Sequence, residues 1–106
     1  MKLVIISAIE EFKKDIIALL KKNQIGSFSY KEVTGYQDIS DLNVESNWFA
    51  NEMNQTESIL FYAFAKTETI DQLMESITSF NENQESKSHI HIGVVALEKF
   101  NNPTIN

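Results

Sequence analysis

His89 and His91 stand two apart in a stretch that reads as a strand, so their imidazoles share one face. Two imidazoles joined by a carboxylate such as Glu52 or Glu57 form a donor set for zinc, copper or nickel. Met53 would add a thioether, a soft donor suited to Cu(I). Against this, the pair reads as plain polar surface or interface, because two histidines alone supply too few ligands. Trp48-Phe49, flanked by polar residues, either anchors a partner or folds back to staple its own segment. Catalysis has less support. The chain has no cysteine, no assignable Ser-His-Asp arrangement and no glycine-rich phosphate loop. Asp38 and Asp41 are paired acids, but no apolar pocket is evident to tune them.

Most of these groups fall in one connection, residues 36–57, between two strand-like runs, Ser27–Val33 and Ser58–Ala65. A hairpin needs only about two to five loop residues, so a connection this long is functional or disordered. Its charge is one-sided. Gln37 to Glu57 holds Asp38, Asp41, Glu45, Glu52 and Glu57 and no lysine, whereas the net charge of the whole chain is −6. Such a segment favours cations or a basic partner and repels nucleic acid and anionic membranes, unless the acids merely solvate it. All nine basic residues are lysine, so the bidentate phosphate grip of arginine is missing and nucleic-acid binding is not expected. No apolar run reaches the roughly 20 residues of a membrane span, and the start, Met1–Ile6, runs into Glu10 and Glu11 without a cleavage site. A cytoplasmic protein is the expectation.

The elements that must position these groups follow in order. Leu3–Ile6 is an unbroken apolar run, so Lys2–Ile9 reads as a strand buried on both faces. Phe12, Ile16, Leu19 and Leu20 recur at helical spacing over Glu10–Asn23, and Ile25-Gly26 is expected to make the turn into the second strand. The second strand ends at Val33, and Thr34-Gly35-Tyr36 opens the connection. Ser58–Ala65 is apolar on both faces. Thr67 or Thr69 is expected to cap a second helix, Thr69 with Gln72 fitting a capping box, and the stripe of that helix is Ile70, Leu73, Met74, Ile77 and Phe80. Asn81–Ser88 reads as a loop and His89–Leu97 as the last strand, with Ile90, Ile92 and Val94 on one face.

Strand, helix, strand, strand, helix, strand in 106 residues specifies an α+β, ferredoxin-like βαββαβ domain over 1–100, with a flexible tail at 101–106. Two helices cover one face of its four-stranded antiparallel sheet. Yet Phe61 and Ala63 alternate with Leu60, Tyr62 and Phe64, so the other face is apolar as well. Nothing else in the chain can cover it, which predicts oligomerisation through the sheet and no stable monomer.

Glu32-Val33-Thr34-Gly35-Tyr36 resembles the Glu-Val-Lys-Gly-Phe that ends the second strand of the PII-like superfamily, where that family's long T-loop begins. Phe12-Lys13 is similar to a Phe-Lys pair of its first helix, and Ser58–Thr78 is similar in pattern to its third strand and second helix. A narrower likeness is to the small PII-like proteins encoded beside heavy-metal efflux systems. The resemblance implies a homotrimer with sheets facing inward and a regulatory, non-catalytic role. It also implies a ligand or protein partner, such as a transporter or efflux component, at the loop: Tyr36, Asp38, Asp41, Trp48, Phe49 and Glu52.

Signalling members bind ATP or ADP in intersubunit clefts through a Thr-Gly-x-x-Gly-Asp-Gly-Lys type of segment before the fourth strand. Here that place holds Asn83-Gln84-Glu85-Ser86-Lys87-Ser88, with no glycine to bring backbone N–H groups to a phosphate. Of the family's cleft, Gly35 and Lys87 carry over, Lys87 being the one group that offers charge, and the usual nucleotide site is not expected. The alternative function is a divalent or transition-metal protein using His89, His91, Met53 and Glu57. A small ferredoxin-like enzyme, with the histidines as acid and base, is the third reading.

Overall fold

The computed structural model describes residues 1–36 and 55–101. β1 (Lys2–Ile9) passes through one 3-10 turn (Glu10–Phe12) into α1 (Lys13–Lys22). β2 (Ser29–Tyr36), β3 (Gln55–Ala65), α2 (Thr67–Asn83) and β4 (His91–Ala96) complete the described chain. The strands form one antiparallel sheet in the order β2-β3-β1-β4, the ferredoxin-like arrangement expected from the element order.

The core lies on one face of the sheet. Val4, Ile6 and Ala8 of β1 and Ile59, Phe61, Ala63 and Ala65 of β3 are buried in one cluster with Ile16 and Leu20 of α1 and Leu73 and Ile77 of α2. Period-two burial in the strands meets period-3.6 burial in the helices, so both helices cover the same face. Phe61 is the centre, with its ring centroid 5.8 Å from that of Phe28 and 5.1 Å from that of Tyr30. Burying a side chain of this size contributes about 1.5–3 kcal/mol. Phe12 meets Phe80 edge-on at 5.1 Å, tying the 3-10 turn to α2.

The opposite face carries the residues between. Ile5, Leu60, Tyr62, Phe64 and Val95 are exposed, Phe64 at 60%. The register sets Leu3 beside Phe64 on one side and Val95 on the other, and Ile5 beside Tyr62. An apolar strip therefore crosses three strands.

Four local expectations are corrected. The turn after α1 is made by Gln24, with φ 63°, and not by Gly26. Ile25 N donates to Leu20 O at 2.9 Å and Gln24 N to Lys21 O at 3.1 Å, the bonding of a Schellman close, with Leu20 and Ile25 both buried against the core. Asn23 at the cap donates from Nδ2 to Leu19 O at 2.8 Å and to Ser76 Oγ at 3.2 Å, joining the two helices. Neither Thr67 nor Thr69 caps α2. The helix begins at Thr67 with Lys66 as its N-cap, and the Thr69 hydroxyl donates to Lys66 O at 2.8 Å instead of accepting from a backbone N–H. Thr34-Gly35-Tyr36 belong to β2, because Thr34, Gly35 and Tyr36 pair with Glu57, Thr56 and Gln55. α2 runs on to Asn83 and β4 starts at His91, since the backbone of Ile90 is bonded by the Asn81 side chain and not by a strand.

Candidate functional site

Antiparallel pairing places the C-terminal end of β2 beside the N-terminal end of β3, and β1 carries the sheet on to β4. A groove of about 630 Å³ opens at this end. β1 contributes Ser7, Ala8 and Ile9, and β2 contributes Gly35 and Tyr36. Thr56 and Ser58 enter from β3, Lys87, Ser88 and His89 from the approach to β4, and His91 from its first position. The groove thus touches the chain on both sides of the 37–54 connection. Its lining is neutral hydroxyl groups with one fixed positive charge, Lys87, and two imidazoles. That composition suits a small oxyanion, which hydroxyl and N–H donors can surround.

The Lys87–His91 wall is held by two amide side chains at the end of α2. Gln84 accepts from Ser86 N through Oε1 at 2.7 Å and donates from Nε2 to Ser86 O at 2.8 Å and Ser88 O at 2.5 Å. Ser86 Oγ accepts from Ser88 N at 2.8 Å. Asn81 accepts from Ile90 N at 2.7 Å and donates to Ile90 O at 2.9 Å. Ser86, Ser88 and Ile90 are gripped, while Lys87, His89 and His91 line the groove.

On the helix-covered side of the β2–β3 ladder lies a second, smaller groove of about 270 Å³, lined by Glu10, Glu32 and Glu57 with Val33, Thr34 and Ser58. The Glu10 carboxyl is raised above its usual range, chiefly by the charge of Glu32, then by loss of water, then by Glu57, with Lys13 opposing. Lys13 Nζ sits 4.6 Å from the Tyr30 ring centroid, a cation–π contact that anchors its stem.

Gly35, Tyr36, Lys87, His89 and His91 are brought to one groove. Glu57 is not: it is adjacent to Ser58 on β3, so strand alternation turns it to the other face, beside Glu10 and Glu32. Glu57 therefore does not join His89 and His91 in the expected donor set. Among the described residues no group of three or more His, Asp or Glu side chains is placed to hold a metal ion. Asp38, Asp41, Trp48, Phe49, Glu52 and Met53 lie outside the described residues. Sequence reasoning missed Ser7, Ser58, Asn81 and Gln84. Ser7 and Ser58 carried a signal, as hydroxyls interrupting or opening otherwise apolar strands. Asn81 and Gln84 carried none beyond a polar run.

No protein-family model and no curated protein sequence matches the chain. Among solved structures the chain is similar to CPII, a nitrogen regulatory PII-like protein from Thiomonas intermedia K12 bound to ADP, AMP and bicarbonate. The likeness has a TM-score of 0.58 at 15% identity and covers 92% of this chain and 94% of that one. At this identity the shared property is the fold. No described helix is long and apolar enough to cross a membrane.

Proposed function

We propose that this chain, folded as the PII-like protein CPII is folded, is a non-catalytic regulatory protein. It takes a small oxyanion, free or as the phosphate of a mononucleotide, in the groove between Tyr36, Ser58 and Lys87. It presents the acidic segment 37–57 to a basic protein partner. The observation that carries this reading is the position of the groove: Gly35 and Tyr36 line it where the acidic segment begins, and Thr56 and Ser58 where it ends. A ligand there contacts both roots of the segment, so its occupancy can bias what the segment does.

The lining supports the ligand class. Lys87, His89 and His91 share the groove with the hydroxyls of Ser7, Tyr36, Thr56, Ser58 and Ser88, and among the described residues no carboxylate lines it, Glu10, Glu32 and Glu57 lining the other groove. CPII takes ADP, AMP and bicarbonate, so AMP and bicarbonate are the first ligands to try. A triphosphate is disfavoured, because no glycine precedes β4 to bring backbone N–H groups to it. The exposed strip of Ile5, Tyr62, Phe64 and Val95 supports assembly as a homotrimer through the sheet.

A second reading, transition-metal binding, is favoured by one observation, that His89 and His91 line the same groove. Native mass spectrometry separates the two. The expected result is a trimer that gains AMP or bicarbonate and loses it when Lys87 becomes alanine. A trimer that ignores both but gains one zinc, copper or nickel per subunit, lost in His89→Ala/His91→Ala, would replace the first reading with the second.

A further inference from the structure

We infer that Gln84 and Asn81 are positioning residues for the oxyanion groove, acting in place of a glycine-rich phosphate loop; the inference rests on the ligand reading above. A glycine loop approaches an anion with its own backbone N–H groups. Here the N–H groups of Ser86, Ser88 and Ile90 are already spent on Gln84 Oε1, Ser86 Oγ and Asn81 Oδ1. Every second residue of the segment is thus held by its backbone N–H, and Lys87, His89 and His91, which alternate with them, line the groove.

The grip is itself anchored. Gln84 is the C-cap of α2, and its backbone N–H donates to Phe80 O at 3.1 Å. Its side-chain amide makes three of the four hydrogen bonds it can make, all to the 86–88 backbone. Asn81, one turn earlier, takes both the N–H and the carbonyl of Ile90, whose side chain is buried in the core. His89 is therefore fixed between two clasped residues, and Lys87 between Ser86 and Ser88. Holding the cationic edge in place before the ligand arrives removes an ordering cost from binding.

The test is isothermal titration of the full chain with AMP, inorganic phosphate and sodium bicarbonate, paired with thermal melts. Gln84→Ala is expected to weaken the ligand that binds by about tenfold. Ser86→Ala, which removes one exposed hydrogen bond, should weaken it by about two- to threefold. Binding of phosphate and bicarbonate as well as AMP identifies a free oxyanion, and AMP alone a nucleotide phosphate. If the unmodified chain binds none of the three, the ligand reading fails and this inference falls with it. If it binds, and Gln84→Ala lowers Tm while leaving affinity unchanged, the clasp is only structural and the inference is overturned with the ligand reading intact. Should Gln84→Ala fail to fold, an unchanged affinity in Ser86→Ala overturns it equally.

Discussion

The hydroxyl of Ser58 occupies the space that a side chain at Gly35 would need. A Cβ built on Gly35 would stand 2.5 Å from Ser58 Oγ and 3.4 Å from the Thr56 carbonyl oxygen. Both residues line the groove, so the close approach of β2 to β3 there sets where that hydroxyl points. Gly35→Ala is expected to turn the hydroxyl out of its place, to cost about 0.5–1.5 kcal/mol of stability and to weaken ligand binding. Adding Ser58→Ala removes the clashing atom, so the double variant should regain most of the stability but not the affinity. Denaturant melts of the four proteins in the cycle check this, and purely additive losses would refute the proposed contact.

Phe64 stands at one end of a row with Leu3 and Val95 on the uncovered sheet face. Phe64→Glu would place a charge against the same apolar row of a neighbouring copy. Sedimentation velocity should show the unmodified chain as a trimer and the variant as smaller species. A variant that still sediments as a trimer would mean the subunits meet elsewhere.

Gln24 pays for its left-handed backbone, since its Cβ crowds the following carbonyl where glycine would not. Gln24 Nε2 recovers part of this by donating to Lys22 O at 3.1 Å on the surface. Gln24→Gly should stabilise the protein by about 0.5–1 kcal/mol and raise Tm by a few degrees. A lower Tm would show that the side-chain bond outweighs the backbone strain.

Glu10 holds its proton more tightly in the folded chain than in the unfolded one, first because of Glu32, then through lost hydration and Glu57. Between the ordinary value, 4.5, and the raised one, the folded state binds more protons, so stability falls as pH rises through that window. Glu10→Gln should therefore raise Tm at pH 7, and the gain should vanish below pH 4.5, where the wild-type carboxyl is protonated in both states. High salt should shrink the gain at pH 7, because the groups are partly exposed. A Tm difference that stays constant from pH 7 to pH 4 would rule out the charge repulsion.

Periodicity alone was enough to order the elements. Leu3–Ile6 and Ile59–Ala65 could only be strands with two apolar faces, and Ile16, Leu20, Leu73 and Ile77 fell at helical spacing, because burial alternates with a period that local geometry dictates. The ferredoxin-like order and the uncovered sheet face follow from that count. The ends of elements did not, since they depend on partners distant in sequence: β2 runs on to Tyr36 because Gln55 and Thr56 pair with it, and β4 waits for His91 because Asn81 takes Ile90. That His89 and His91 would stand close together was legible in the sequence, although only His91 falls in β4. That Glu57 would turn away from them, one residue out of step on β3, was not, because only the strand register decides which face a side chain joins. The groove itself is a product of tertiary structure. It exists because antiparallel pairing brings Gly35, Ser58 and Lys87, far apart in the chain, to one end of one sheet.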